Sequence, residues 1–388
     1  MKILVTGAAG FIASAVAGGL NEMGRNDLIL VDDFSQEQKN NNWKEKKYSQ
    51  LIDRKDFINW LDSNNNDIDF DKLTIVDKWI LNELNNTAKE FNETWSYQFV
   101  FDNGTRAFVN YSALYVPGSG KKVACDLSFW NFMGKSYSVG RQYPPERLVA
   151  DKAKATIDIK GEYKMENKPG KGHHVYFTAD KDGKYLVDLV FESAEPGKVP
   201  GDGIWTVGKE KFGQFIHIPY GRVSGKIAHN EDTLTVKGYA YMDQTWQTEA
   251  ATDLAIRSIN FSTNSRENMY AGRISITEDG KYMGYAIYNT PEGAKIAMPA
   301  QIKDGEDNYN GKKFPKNAIT VDFQNNVPSL KFAVNKPFQK ASLLDKVDGW
   351  LAKKAMKIAA GGEILFYRGR SEGSNGKKVD WAVTGAKD

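Results

Sequence analysis

The stretch that decides the fold lies past the middle of the chain, where residues 213–246 have the sequence GQFIHIPYGRVSGKIAHNEDTLTVKGYAYMDQTW. Its second half is strand-like, and side chains alternate between the two faces of a strand. If residues 238–243 form one strand, Tyr239, Tyr241 and Asp243 therefore share a face. An acid beside two aromatic rings makes this face the first candidate for a functional site.

The same period of two runs outward from this stretch, from Thr94 towards the C-terminus. Turn-forming segments separate the strand-like runs, notably Asp102–Gly104, Pro117–Gly120, Asp180–Gly183 and Glu278–Gly280. Asn-Gly and Asp-Gly between alternating runs are strong hairpin signals. An aromatic content of 12%, with 35 Gly but only 12 Pro, agrees with strands and tight turns. We predict a mainly β fold, an antiparallel barrel or a pair of them, whose closed sheets can enclose an apolar lumen.

Six residues of the deciding stretch carry a resemblance to the lipocalin-like superfamily, which contains carotenoid hydratases, fungal-type Diels–Alderases and the survival-factor family of lipid-binding proteins. There a Val-x-Gly strand precedes a Gly-Tyr-x-Tyr/Trp-x-Asp strand that ends near a Trp. The matching residues here are Val223, Gly225, Gly238, Tyr241, Asp243 and Trp246. The opening at Glu93, and a tail with Leu344–Asp348 and Gly361–Arg368, resemble the survival-factor branch. The resemblance implies two lipocalin-like antiparallel β-barrel lobes, residues 93–210 and 211–388.

The resemblance also implies a site. In the hydratase branch the Asp of this strand protonates an alkene and aromatic rings stabilise the cation. That chemistry is sound, because an apolar lumen raises the pKa of a carboxyl and ring faces attract cations. The implied catalytic residues are Asp243 and Tyr241, and the implied substrate-binding residues are Tyr239, Trp246, His217, Trp95 and Trp130.

Two observations weigh against that chemistry. The hydratase branch has His directly after this Asp, where the present chain has Gln244, which argues against an acid–base relay. From residue types alone, Asp243 is also explained as a buried structural acid, and the aromatic residues as core.

The N-terminus follows a different pattern. Residues 2–6 suit a buried strand, Gly7 and Gly10 suit a tight turn into a helix that Gly24 ends, and a second strand closes with Asp32. Glycines let a backbone approach a pyrophosphate, a helix N-terminus attracts its charge, and an acid binds ribose hydroxyls. This is the order of a dinucleotide site.

The segments ILVTGAAGFI, NEMGRNDLILVDDFS and KKYSQLIDRKDFINWLDSNN resemble the start of extended short-chain dehydrogenase/reductases, especially nucleotide-sugar and ADP-heptose epimerases. The resemblance covers residues 1–65 and implies Gly7, Gly10 and Asp32 as cofactor-binding residues. The later strands of that family, and its Tyr-x-x-x-Lys helix, have no counterpart downstream. We therefore predict a truncated Rossmann-like segment that does not usefully bind NAD or NADP, and expect no cofactor.

Residues 66–92 are predicted to be a linker and a packing helix, since an Asn-rich segment precedes apolar residues spaced as one helix face. The 52 Lys and Arg against 49 Asp and Glu, a net charge of +3, exclude nucleic-acid binding through bulk charge. No apolar run in the body of the chain is long enough for a membrane helix, and the single Cys125 excludes an internal disulfide. The uncharged stretch after Lys2 also suits a signal peptide, but the strand–turn–helix explanation is the better one, so we expect a cytoplasmic protein.

Three functions remain open. The first is a hydrophobic-ligand barrel that cyclises, isomerises or hydrates a polyene, isoprenoid or polyketide-like substrate; a pericyclic cyclisation needs mainly a correctly folded conformer. The second is a non-catalytic lipid carrier, and the third is an NAD-dependent sugar epimerase or reductase. The sequence has no nucleophile motif, phosphate loop or metal motif, and we predict that the pair His173-His174 is solvated rather than metal-binding. The expected partner is a hydrophobic small molecule or lipid.

Overall fold

The computed structural model describes residues 3–57, 60, 91–116, 120–151, 156–168, 172–249, 251–263, 265–291, 293–309, 314–342, 354 and 364–386. The packing helix predicted before Asn92 lies outside these ranges, as do residues 344–348 of the tail. Backbone contacts divide the chain into two units, residues 1–72 and residues 73–388. Within the described ranges, no helix is both long and apolar enough to cross a membrane.

The N-terminal unit contains a parallel sheet with the strand order β1–β2–β3. Its elements are β1 (Ile3–Thr6), α1 (Phe11–Glu22), β2 (Leu28–Asp32), a 3-10 turn (Glu37–Lys39), α2 (Asn40–Trp43) and β3 (Gln50–Asp53). Strand β2 is central and buried, as its continuous apolar run requires. The predicted Rossmann-like segment is confirmed, with β3 as a strand that the sequence pattern had not indicated.

The second unit begins with a twelve-stranded antiparallel sheet, which we call the first lobe. Its strands are β4 (Asn92–Phe101), β5 (Arg106–Val116), β6 (Gly120–Phe132), β7 (Lys135–Tyr143), β8 (Leu148–Asp151), β9 (Thr156–Ile159), β10 (Tyr163–Lys168), β11 (Gly172–Asp180), β12 (Lys184–Ala194), β13 (Ile204–Val207), β14 (Glu210–His229) and β15 (Asp232–Gln247). A 3-10 turn (Pro145–Arg147) links β7 to β8. The spatial order is β7-β6-β5-β4-β15-β14-β12-β11-β10-β9-β8, and β13 pairs with β14.

The first lobe is curled, because the two ends of its sheet approach each other. The hydroxyls of Tyr143 on β7 and Tyr163 on β10 lie 3.0 Å apart, although these strands are far apart in the strand order. Alternate side chains of the strands form one apolar cluster inside the curl. Two of the predicted turns place Gly104 and Gly280 in the left-handed region, with φ of 85° and 78°, which explains glycine at both positions.

A second lobe follows, with α3 (Ala251–Leu254) before it. Its strands are β16 (Arg257–Thr263), β17 (Tyr270–Ile276), β18 (Tyr282–Thr290), β19 (Gly293–Ala297), β20 (Pro299–Asp304), β21 (Asp307–Asn308), β22 (Ala318–Phe323), β23 (Leu330–Ala333), β24 (Pro337–Ser342), β25 (Ile364–Glu372) and β26 (Lys378–Ala386). They form a seven-stranded sheet, β19-β18-β17-β16-β26-β25-β24, and a four-stranded sheet, β21-β20-β22-β23. Apolar side chains of both sheets share one core. The prediction of a mainly β chain with two antiparallel lobes is confirmed.

The predicted boundary between the lobes needs correction. Strand β14 pairs with β12, and β15 pairs with β4, so residues 210–247 complete the sheet of the first lobe. The second lobe starts at Arg257, not at residue 211. A sequence shows where strands lie but not which strand pairs with which, because the pairing of β15 with β4 joins segments far apart in the chain.

Candidate functional site

The hairpin of β14 and β15 places the predicted acid between the lobes. Tyr239, Tyr241 and Asp243 do share one face of β15, but Ala240 and Met242 on the other face belong to the core of the first lobe. Tyr241 instead belongs to an apolar cluster that contains four side chains of the second lobe: Met269, Ala271, Tyr285 and Ile287. The expected lumen-facing position is therefore wrong. Both faces of the strand are apolar, so the period of two could not show which face points inward.

Asp243 is fully buried and paired with Arg273 on β17 of the second lobe. The Arg273 Nε donates to Oδ2 at 2.7 Å and its Nη2 donates to Oδ1 at 3.1 Å, which is the strong bidentate geometry. The Tyr241 hydroxyl also donates to Oδ2, at 3.1 Å. Three donors converge on a carboxylate, so Asp243 is arranged as an acceptor rather than as an acid that gives away a proton.

The neighbouring groups keep their protons. Burial lowers the pKa of Arg273, but the Asp243 carboxylate more than offsets this, so the pKa of Arg273 is raised. Burial, reinforced by the Asp243 charge, raises the pKa of Tyr241 well above its usual value. The site thus holds a charged guanidinium and a neutral phenol at any physiological pH.

Further polar contacts continue across the surface between the lobes, which we call the interlobe face. On the first lobe, the Ser96 hydroxyl donates to Asn110 Oδ1 at 2.9 Å. Between the lobes, Gln98 Nε2 donates to Asn260 Oδ1 at 2.7 Å. Polar groups are therefore buried where two sheets could have packed apolar side chains.

Aromatic rings line the other part of this face. The Arg368 guanidinium of the second lobe lies 4.0 Å from the Phe108 ring centroid and 5.3 Å from that of Trp130. Trp130 is thus on the interlobe face, as is Tyr239, whose ring lies 4.7 Å from the guanidinium of Arg222. Burial, and secondarily the charge of Arg273, lower the pKa of Arg368 to about 10.

The remaining predicted residues lie on the inner face of the first lobe. Trp95 and Trp246 are buried there, and Trp246 stacks near Phe91 with ring centroids 6.3 Å apart. His217 Nε2 lies 2.7 Å from Gln244 Oε1, and Gln244 Nε2 donates to Glu93 Oε1. The structure therefore divides the predicted set into two groups: Asp243, Tyr241, Tyr239 and Trp130 on the interlobe face, and Trp95, Trp246 and His217 inside the first lobe.

Three important residues were missed from the sequence. Glu93 lies two residues before Trp95 on β4, so the two side chains are on the same face. The alternation of side chains could therefore have indicated Glu93 as a candidate site residue. Arg273 and Arg368 lie in strands of the second lobe, and only the packing of the lobes brings them to the site.

The pair His173-His174 is not solvated, contrary to expectation. His173 is buried, and its Nε2 lies 2.7 Å from the Tyr97 hydroxyl. Burial, with smaller effects of His217 and His174, lowers its pKa to about 3. His174 lies between Glu166, at 3.1 Å, and Asp188, at 2.7 Å. Among the residues that the structure describes, no cluster of His, Cys, Asp and Glu could hold a metal.

The predicted cofactor residues lie in the turn between β1 and α1 and at the end of β2. Gly7 has a φ of 68°, and Gly10 precedes α1 as its N-cap. The Asp32 carboxylate accepts the backbone N–H of Ala9 at 2.8 Å, which closes the turn onto β2. A complete site also needs strands on the far side of β1, and β1 is the edge of the sheet that the described residues form.

Comparison with known proteins gives two separate similarities. An AttH-type protein of Nitrosomonas europaea aligns at 12% identity and a TM-score of 0.49, over 76% of this chain and 92% of that one. Kievitone hydratase of Nectria haematococca (11% identity, 76% and 88% covered) and CghA in complex with Sch210972 (12%, 77% and 89%) both align at a TM-score of 0.47.

The second similarity belongs to the N-terminus. ADP-L-glycero-D-manno-heptose-6-epimerase of Brachyspira hyodysenteriae is 40% identical over 70 residues, 17% of this chain and 22% of that protein. The enzyme of Pseudomonas paraeruginosa is 41% identical over 58 residues, 15% and 18%. The chain thus spans about a fifth of the length of the curated relatives it matches. No protein-family model matches the chain.

Proposed function

We propose that this chain is an enzyme that binds an extended, mostly apolar molecule between its two lobes and cyclises or isomerises it. The substrate class is a polyene, isoprenoid or polyketide-like compound. One observation carries the proposal: the surface between the lobes buries an ion pair, amides and aromatic rings together. Burying such groups is costly unless they are paired, and apolar packing would be at least as stable. A binding role explains why they are there.

The arrangement suits control of conformation better than acid catalysis. Asp243 uses two of the five guanidinium N–H groups to fix Arg273, and the rest can polarise a substrate carbonyl. Phe108 and Trp130 offer flat surfaces on which a conjugated chain can fold. Holding reacting atoms in a near-attack geometry can supply an effective molarity of about 10⁵ M or more, and no proton transfer is needed.

Binding between the lobes can be tested with cis-parinaric acid methyl ester, a fluorescent polyene. We expect binding in the micromolar range that Ala382→Phe weakens by roughly tenfold or more, because Ala382 lies on the interlobe face beside Arg368. Ser224→Phe adds the same bulk next to the exposed Lys237 and is the matched control. Equal loss in both variants, or no binding at all, would contradict the proposal.

Catalysis is tested on the natural ligand. Native mass spectrometry of the purified protein identifies a retained compound, which is then incubated with the enzyme. Cyclisation or isomerisation gives a product of unchanged mass. A compound that is retained but never converted would establish the lipid-carrier alternative instead.

A second candidate function, hydration, is favoured by one observation inside the first lobe. Glu93 is fully buried, and Gln244 joins it to the half-buried His217. Gln244 stands where the hydratase branch has His, and its amide can bond a carboxyl in either protonation state. If the product has gained water, Glu93→Gln should slow the reaction by about 10² or more. An unchanged rate in Glu93→Gln would contradict this candidate.

A further inference from the structure

The ligand of the proposed function has a polar end, and one arginine of the interlobe face indicates the chemical group at that end. We propose that Arg368 binds a carboxylate of the ligand on the interlobe face, so that the substrate is an acid with an extended apolar body. This inference rests on the proposed function but is tested separately from it.

Three residues that lie opposite one another on neighbouring strands form the proposed carboxylate-binding site. Arg368 on β25 is paired with Ala382 on β26, and Ala382 is paired with Asn260 on β16. Directly opposite residues of neighbouring strands lie on the same face. Ala382 is the smallest of the three and is only half-buried, so it leaves room between the two longer side chains.

Arg368 differs from the other interlobe arginines in the groups that surround its guanidinium. Arg273 is paired with Asp243, and Arg106 is paired with Asp380, Nε to Oδ1 at 3.1 Å. Arg370 also faces Asp380, at 3.8 Å. Arg368 has aromatic rings on Phe108 and Trp130 as its contacts, and no described residue offers it a carboxylate. A desolvated guanidinium is stabilised most by an anion, and its flat fork matches a carboxylate.

Asn260 supplies a second donor. Its side chain is only 4% exposed, and its Oδ1 accepts from Gln98. Its Nδ2 has no hydrogen-bond acceptor among the described residues. A buried N–H group without an acceptor is costly. A ligand carboxylate above Ala382 would give an acceptor to both Asn260 and Arg368.

The experiment compares cis-parinaric acid with its methyl ester by fluorescence titration. The wild-type protein should bind the acid about 10- to 100-fold more tightly than the ester, the usual range for a charge-assisted contact. Arg368→Gln should remove this preference and leave ester binding within about threefold, whereas Arg368→Lys should keep part of it. Arg222→Gln, which removes an arginine whose partner Asp102 is about half exposed, should leave the preference unchanged.

Several results would overturn the inference. One is equal wild-type affinity for acid and ester, and another is an unchanged preference in Arg368→Gln. If Arg368→Gln does not fold, Asn260→Asp replaces it: a carboxylate at this position should weaken acid binding by tenfold or more and spare the ester. Loss of both affinities in Asn260→Asp would count against the inference. Binding of neither probe by wild type is the result that contradicts the proposed function itself.

Discussion

Asp243 and Arg273 form a direct contact between the two lobes. Both Asp243 oxygens receive N–H groups of Arg273, and the carboxylate is fully buried. Burying two charges is expensive, so such a pair adds little net stability while it is intact. Removing one partner, however, leaves a charge without compensation. A docking of the lobes that separated the two groups would therefore be disfavoured.

The stability losses caused by removing Asp243 and by removing Arg273 should not be additive. We expect Asp243→Asn or Arg273→Gln alone to lower the free energy of unfolding by about 3–5 kcal/mol. The double variant should cost less than the sum of the two by at least about 1 kcal/mol, because contacting residues are coupled. Urea unfolding measures all three.

A surface pair provides the control for this cycle. Lys303 and Asp322 are 2.9 Å apart and partly exposed, so Asp322→Asn should cost at most about 1 kcal/mol. Additive losses for Asp243 and Arg273 would show that the pair is not coupled.

His173 should make stability depend on pH. Its pKa is about 3 in the folded protein, against a reference value of 6.5, mainly because of burial. Between these values the unfolded chain binds a proton that the folded chain does not, so stability falls as the pH drops from 6.5 towards 3. Within that window the loss is about 1.4 kcal/mol per pH unit.

His173→Gln removes this titration and keeps a partner for the Tyr97 hydroxyl. Between pH 6 and pH 5, its free energy of unfolding should fall less steeply than that of the wild type. Urea unfolding at the two pH values decides the matter, and parallel slopes would contradict the assignment. All other titrating groups are common to both proteins.

At the scale of elements, the same pairing of glycine with tryptophan occurs in both lobes. Gly213 lies opposite Trp246 between β14 and β15, and Gly369 lies opposite Trp381 between β25 and β26. A Cβ on Gly213 would come within 2.1 Å of the Trp246 indole, and one on Gly369 within 2.1 Å of Trp381. Each indole thus lies over the backbone of the glycine across from it. This contact fixes the position of the ring and shields the glycine backbone from solvent.

Gly213→Ala should therefore displace the Trp246 ring. We expect a changed near-UV circular dichroism spectrum and a loss of about 1–3 kcal/mol in unfolding free energy, typical of overpacking. Gly19→Ala in α1 is the control, because nothing lies within 4 Å of its added Cβ and alanine favours helix. An unchanged spectrum in Gly213→Ala would show that the ring is not fixed by this contact.

At the scale of the whole molecule, the chain combines a short parallel unit with a much larger antiparallel one. The large unit has two cores, one in each lobe, and a third cluster between them that includes Ile216, Tyr241 and Tyr285. Tyr285 of the second lobe makes two hydrogen bonds to the first lobe, accepting from the Ile216 N–H at 2.9 Å and donating to the Lys198 carbonyl at 2.6 Å. The proposed site lies where the lobes meet, so it depends on both.

The N-terminal unit should not bind NADH with useful affinity. Gly7, Gly10 and Asp32 match at most half of a dinucleotide site. NADH fluorescence should therefore show no saturation in the micromolar range. Micromolar binding that Gly7→Val abolishes would contradict this, since φ at Gly7 is 68°, a conformation that valine disfavours.

The sequence by itself determined the local features of this protein. Alternation and Asp-Gly or Asn-Gly turns indicated the strands and hairpins, and glycines with Asp32 indicated the N-terminal turn. These sequence patterns predict local structure correctly because turn chemistry and strand propensity depend on adjacent residues. The alternation also correctly put Tyr239, Tyr241 and Asp243 on one face.

Only the tertiary structure decided which way that face points and what meets it. Both faces of β15 are buried, one in the first lobe and the other against the second, so periodicity gave relative but not absolute orientation. Arg273 and Arg368 reach Asp243 and Phe108 through the docking of separately formed sheets. Such contacts depend on how whole sheets pack, which no local pattern encodes. For that reason the sequence pointed to an acid in a lumen, whereas the structure contains an ion pair between lobes.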